Sequence, residues 1–287
     1  MEFENIPLVE IPPYTGIYSG IAELDGYLAL RLLEHNIGNR TLRAGKVAEL
    51  VRVLHGGQWQ FNGEAIKFDR HGTMRDGQHR CAAIVEADPA VPVPALIVFG
   101  LEPEAQETMD QGMKRQAFEQ LTIAGIDSDK TLAAAVRVLI RWNEGLLFID
   151  HKIADVTTGD VVAWAKANPD GFDMLRELSA RGYRRITGCA PSVALAIAYR
   201  LAQIDPECAY VFFDSLLKPV GVPDGSPVWA LRSRLEQIVK TRQRVPDRNM
   251  IGYFISAWNG FREGRAMAKI SGPKGGVWTV ATFPEPK

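Results

Sequence analysis

The stretch Asp76-Gly77-Gln78-His79-Arg80-Cys81-Ala82-Ala83 decides how this chain is read. A short β-type run, Thr73–Arg75, precedes it and an apolar β-type run, Val93–Phe99, follows. Between them the octapeptide supplies a glycine for a sharp turn and an acid where a helix N-cap stands. A helix is then predicted from about Gln78 to Ala87, with Cys81, Ile84 and Val85 on its apolar stripe. The first N–H groups of a helix lack acceptors within it, and with the helix dipole they make an anion site. Arg80 adds a planar fork suited to phosphate oxygens. His79 donates a further hydrogen bond or carries a proton. Asp76 reads as a cap rather than a base. These residue types in this order point to a bound phosphate.

Working outward, Ala65–Phe68 and Thr73–Arg75 read as short strands joined by a turn over Asp69–Gly72. Ala95–Phe99, entered past Pro92 and Pro94, has the strongest strand pattern. Upstream, Val47, Leu50, Val51 and Leu54 recur at helical spacing and predict a helix over Ala44–His55, stopped by Gly56-Gly57. Leu24, Leu28 and Leu32 predict another over Ile21–His35. Residues 1–20, with Pro7, Pro12 and Pro13, read as an extended arm. Leu101–Met109 and Gln116–Ala124 read as helical.

Beyond Ser128 strands nearly vanish. Helices are expected around Leu132–Ile140, around Asp160–Lys166 behind a hydroxyl cap and ended at Pro169, and around Val193–Ile204, Leu231–Ile238 and Ile251–Trp258. The tail after Gly272, with Pro273, Pro284 and Pro286, reads as irregular. The expected fold is α+β, with a small mixed-sheet domain over residues 1–125 and an all-helical domain over 126–287. The boundary is placed at Gly125–Ser128.

The 287 residues are 46% hydrophobic and 23% charged, a globular composition. Cys81, Cys189 and Cys208 follow neither a disulfide framework nor a zinc pattern. The amino terminus lacks a basic region before an apolar run, and no run reaches the roughly 18 apolar residues of a membrane helix. A cytoplasmic location is expected. Residues 1–125 carry 11 Lys and Arg against 17 Asp and Glu, whereas residues 126–287 carry 22 against 17. The basic second half points weakly to an anionic partner, and random scatter explains it as well.

The order of elements resembles the N-terminal domain of the ParB/sulfiredoxin superfamily. Asn39-Arg40 leads into a helix, then come Gly57, a short strand, the turn, and Val93-Pro94-Ala95-Leu96-Ile97-Val98. Members share a Gly-x-x-Arg-x-x-Ala turn as their phosphate cradle. The form Asp-Gly-Gln-His-Arg also resembles the DGQHR proteins linked to bacterial DNA modification, and is similar to the Asp-Gly-His-His-Arg turn of free-serine kinases on this fold. The resemblance covers about residues 38–121. It implies that Gly77, Gln78, His79 and Arg80 form the phosphate turn and that Gly57 faces the nucleotide. Asn39-Arg40 stands for an Asn-Pro-Arg motif whose proline is missing. Asp110-Gln111-Gly112-Met113-Lys114 stands where ParB proteins have Glu-Asn-x-x-Arg, the acid facing a metal and the base a phosphate. Sulfiredoxins need a cysteine where Gln78 stands, so sulfinic-acid reduction is rejected and Cys81 is assigned to the core. The helical half shows no clear helix-turn-helix or dimerisation tail of the ParB clamps.

The remaining candidates are individual side chains. Glu64, at the head of a strand, is a general base, a Mg²⁺ ligand or an exposed strand-end acid. His35, His55 and His71 read as solvated or turn residues. Arg232, Arg234, Lys240, Arg242, Arg244 and Arg248 crowd positive charge into one segment, a solvated face in the plain reading and a tracker of a phosphate backbone in the other. Trp258 and Phe261 read as core.

The function expected is that of a nucleotide-binding protein, an NTPase or phosphotransferase. Its phosphates would lie on Asp76, Gly77, Gln78, His79 and Arg80, with Glu64, His79 and Asp110 as catalytic residues. ATP or CTP with Mg²⁺ held by Glu64 and Asp110 would be the cofactors. The alternative is a DNA-binding or DNA-modification accessory protein without chemistry of its own. A nuclease lacks the paired carboxylates it needs. Expected partners are a nucleotide, DNA on the basic C-terminal helices and a second copy of the chain.

Overall fold

The computed structural model describes residues 16–88, 92–109, 115–150, 155–273 and 275–287. The chain divides into two compact units, Met1–Lys114 with His151–Asp155 and Arg115–Asp150 with Val156–Lys287. The first is α+β and the second helical.

The first unit runs β1 (Tyr18–Leu24), α1 (Gly26–Leu33), α2 (Ala44–His55), β2 (Ala65–Asp69), β3 (Met74–Asp76), α3 (Gln78–Ala87) and β4 (Val93–Leu101), then a 3₁₀ turn over Pro103–Thr108. Among the described residues four strands form one mixed sheet in the order β1-β4-β2-β3. The β1–β4 and β2–β3 pairs are antiparallel and the β2–β4 pair is parallel. Alternation along β4 turns Ala95, Ile97 and Phe99 inward. They meet Leu24, Leu32, Ile66, Phe68, Met74, Cys81 and Ile84 in one buried cluster. Phe68 and Phe99 stack there at 5.1 Å. Both α1 and α2 pack on α3. Burial raises the Cys81 thiol to about 12, so it is a core residue as expected.

The predicted helix over Ile21–His35 is corrected. The chain is strand through Leu24 and helical only from Gly26. Asp25 makes the break, its carboxylate accepting the Leu28 N–H at 2.7 Å as an N-cap. The strand survives because it covers an edge of β4.

The second unit runs α4 (Ala117–Ile123), α5 (Lys130–Asn143), α6 (Thr158–Ala167), α7 (Pro169–Ala180), α8 (Pro191–Ile204), α9 (Pro206–Leu217), α10 (Pro227–Thr241) and α11 (Asp247–Arg262). The expected boundary at Gly125–Ser128 falls later than the division at Lys114. The reason is that α4 packs on α5 and α6 with Leu121 fully buried. Along α8 nearly every residue from Val193 to Ala202 is buried, and α5, α7, α9 and α11 all pack on it. A helix apolar all round belongs at the centre of a core.

Both α7 and α9 were missing from the sequence reading. Each begins with proline as its first helical residue, where the absent N–H costs nothing. Asn168 alone joins α6 to α7, and Asp205 alone joins α8 to α9. Trp258 is fully buried against Phe212 at 5.7 Å, a core residue as read. The tail forms no helix or strand among its described residues but is tied to α11. The Trp258 indole N–H donates to the Lys287 carbonyl at 2.9 Å and the Asn259 amide to the Glu285 carbonyl at 2.8 Å. No helix among the described residues is long and apolar enough to cross a membrane.

Candidate functional site

The turn closes on Gly77, the residue ahead of α3, with φ at +106°. Two facts make glycine necessary. The conformation is left-handed, and a Cβ would stand 2.9 Å from both Cγ1 and Cγ2 of Ile66. Asp76 is not the N-cap that its position suggested. Its carboxylate accepts the Gly77 N–H at 2.7 Å and faces Lys67 at 3.2 Å and Arg80 at 3.5 Å. The Cys81 N–H already donates to the Gly77 carbonyl at 3.0 Å. Among the described residues, the bare amides at this helix start are therefore those of Gln78, His79 and Arg80.

Two side chains of the turn do other work than phosphate binding. Gln78 is buried at 6% exposure, accepting from the Asn36 amide and donating to the Arg40 carbonyl, both at 3.1 Å. It belongs to a polar chain that continues through Asn39, bonded to Asn36 and to the Met74 carbonyl at 2.6 Å each, and through Gln106 to Arg75 and Asp69. The Arg80 fork is also committed. Its N–H groups donate to the Glu64 carbonyl and, at 2.5 Å, to the Ala65 carbonyl, beside the Asp76 carboxylate. Arg80 is thus a strut between α3 and the start of β2 and one wall of a cleft.

His79 gives the turn its second half. Its Nε2 accepts the backbone N–H of Arg43, the residue ahead of α2, at 3.1 Å. That bond requires a neutral ring with the proton on Nδ1. Burial, then the charges of Arg40, Arg43 and Lys46, push the imidazole below its ordinary value, with Asp76 opposing. Of the two roles the sequence left open, a further hydrogen bond or a carried proton, this geometry favours a hydrogen bond, with the ring as acceptor. Two helix starts therefore lie one hydrogen bond apart among three basic residues. Lys46 also pairs with Glu49 at 2.8 Å.

The first unit also holds a cleft of about 270 Å³, whose lining includes one residue of the turn, Arg80. Leu50 and Val53 of α2, Ile84 of α3 and Ala95 of β4 form its apolar walls, with Trp59, Phe61 and Arg80 around them. The Trp59 indole N–H is buried without a hydrogen-bond partner among the described residues. A buried donor left unmade is costly, so an acceptor in the cleft is favoured. Glu64 is exposed at the rim. Gly57 does not touch the cleft. Its φ is +64° and a Cβ would meet nothing within 4 Å, so the turn after α2 explains it. Asp110 lies outside the described residues. Among those described, no group of three or more His, Cys, Asp or Glu side chains gathers as for a metal.

The basic segment of the second unit splits in two. Arg232 donates to the Leu216 carbonyl, and Arg234 to the Tyr253 hydroxyl at 3.0 Å. Both brace their own unit. Lys240, Arg242 and Arg244 are exposed.

Sequence reasoning found the turn and missed Arg43, Lys46, Trp59 and Phe61. The signal available for the first two was a pair of cations one turn apart at a helix start. For the others it was two aromatics among amides in the loop after Gly57. No family model, curated protein or solved structure matches the chain.

Proposed function

We propose that the first unit binds a nucleoside phosphate such as ATP or CTP. The phosphates would lie against the paired starts of α2 and α3, and the ring in the cleft that Arg80 helps to line. The observation that carries this reading is the bond from the Arg43 N–H to a neutral His79, which sets two sources of bare amides among Arg40, Arg43 and Lys46. The cleft accepts a small flat ring rather than a drug-sized ligand, which fills about 300–1,000 Å³. The resemblance of Asp76–Ala83 to the phosphate turn of the ParB/sulfiredoxin superfamily supports the same reading.

Mg²⁺ arriving with a nucleotide needs about one or two protein carboxylates beside phosphate oxygens. Glu64 at the rim is one, and Asp110 is the second named from the sequence. Mg²⁺ would supply charge neutralisation on the phosphates. Hydrolysis or phosphoryl transfer would rest on positioning and electrostatics, with Glu64 accepting the proton of the attacking hydroxyl or water.

Calorimetric titration with ATP, CTP and GTP, with and without Mg²⁺, tests the site, and phosphate release tests turnover. Arg43→Ala with Lys46→Ala should weaken binding by about tenfold or more while leaving the melting curve in place. Arg80→Ala should instead lower stability, because it frees two carbonyls. Unaltered binding in the double variant, or no binding at millimolar nucleotide, refutes the reading.

The exposed Lys240, Arg242 and Arg244 favour a second reading, a DNA-binding accessory protein. Salt-sensitive retention of a DNA duplex, lost on neutralising these three, is its mark.

A further inference from the structure

A second cavity, of about 120 Å³, opens in the helical unit and is lined by none of the residues of the proposed nucleotide site. Its walls come from three places. Arg185 closes the 3₁₀ turn Tyr183–Arg185 and is followed by Ile186 and Thr187. Leu216 and Leu217 end α9, and Arg232, Leu235 and Glu236 come from α10. Gly188 locks the arrangement. Its φ is +84°, and a Cβ there would stand 2.6 Å from the Leu235 carbonyl oxygen, so the loop carrying Arg185 is pressed onto the α10 backbone.

The two guanidiniums are unequally used. Arg232 lies 5.7 Å over the Trp229 ring and gives one N–H to the Leu216 carbonyl. Its Nε is buried with no partner among the described residues. Its remaining nitrogen is 3.9 Å from the Glu236 carboxylate, which is 67% exposed and free to swing outward. The Arg185 side chain is exposed and makes no hydrogen bond or ion pair with a described residue. Thr187 adds an exposed hydroxyl. The cavity thus holds a surplus of unused donors of one kind, forks that match oxyanions, against a single carboxylate. By liquid volume it has room for about four waters, the scale of one tetrahedral anion.

We propose that this cavity binds a phosphate oxyanion between Arg185 and Arg232, with Thr187 as a hydroxyl donor. Two sources share that chemistry, a free phosphate and a backbone phosphate of DNA. Glu236 and Lys240 follow Arg232 at successive helical turns on one face of α10, and Arg242 lies just beyond.

The test uses the full chain carrying Arg43→Ala and Lys46→Ala, so that the first site is already weakened and failure of one site does not imply failure of the other. Inorganic phosphate is titrated by calorimetry, with and without Arg185→Ala. Arg185 is exposed, so this variant should melt like its parent. A phosphate site that persists in the double variant and weakens about tenfold or more with Arg185→Ala supports the proposal. Arg232→Lys, which keeps the charge and loses the fork, should weaken it as well. A short DNA duplex is then titrated. Retention that falls with Arg185→Ala names backbone phosphate as the source, and retention that does not fall leaves the free anion. Phosphate binding indifferent to Arg185, or absent from the double variant, overturns the proposal.

Discussion

Replacing Gly77 by alanine should destabilise the first unit by about 2–5 kcal/mol. The figure has two parts. A left-handed φ of +106° costs an L residue about 1–2 kcal/mol. The new methyl group would meet Ile66 Cγ1 and Cγ2 at 2.9 Å. Ile66 is 1% exposed and packed in the core, so it yields only by shifting its neighbours. Overpacking of that kind costs about 1–3 kcal/mol. Urea unfolding of the full chain measures the loss. Hydrogen exchange at amides of α3 and β2 assigns it to this unit, since two units do not unfold as a single transition. A double-mutant cycle separates the parts. Ile66→Val keeps both carbons that clash and should return nothing. Ile66→Ala removes both and should return about 1–3 kcal/mol of coupling. A Gly77→Ala protein within about 0.5 kcal/mol of its parent, or equal recovery with valine and alanine, would show that the turn is not built this way.

The His79 imidazole is held below its ordinary 6.5, so the folded chain binds its proton less readily than the unfolded chain. The stability tied to it is complete above that ordinary value and is lost as pH falls through the lowered one. Urea midpoints at about pH 7.5 and about pH 5.5 should differ more for the parent than for His79→Gln, whose amide oxygen accepts the Arg43 N–H without titrating; equal differences would contradict the neutral-acceptor role. Asp69 is fully buried, and although burial alone raises its carboxyl, the N–H groups of Thr73 and His71 and the Arg75 guanidinium hold it below its ordinary value. Asp69→Ala strands Arg75 and should cost about 3–5 kcal/mol, measured by urea unfolding, and a loss under about 1 kcal/mol would place that pair among exposed ones. Cys81, with its thiol near 12 and no exposure, should resist alkylation at neutral pH until urea unfolds the chain, whereas the partly exposed Cys208 should react in the native state. Native labelling of Cys81 at the rate of Cys208, read by mass spectrometry, would refute its place in the core.

The parts of the fold legible in the sequence were those whose pattern is local. The α2 stripe of Val47, Leu50, Val51 and Leu54 and the run Ala95–Phe99 each carry their own periodicity, and the turn at Gly77 announces itself by its glycine. Leu24, Leu28 and Leu32 misled because a spacing of four looks helical, although Leu24 closes a strand and Asp25 restarts the chain. Pro169 misled in another way, since it reads as a helix stop and is instead the first residue of the next helix, a position that Pro206 also takes. At the site, a sequence shows that Arg80 owns a fork but not that the Glu64 and Ala65 carbonyls already fill it. The cationic cluster was hidden because it depends on His79 meeting a backbone amide 36 residues earlier.

The single-residue joints of the helical unit have a practical consequence for anyone cutting or extending this chain. At Asp205 one carboxylate caps α9 through the Cys208 N–H at 3.0 Å and also faces Arg262 of α11 at 3.3 Å. An inserted linker or affinity epitope there, or at Asn168, would unseat neighbouring rods at both ends of the splice. Between α9 and α10, Val220 is 90% exposed and Gly221 is exposed beside it, and that point is where such cargo should be tolerated.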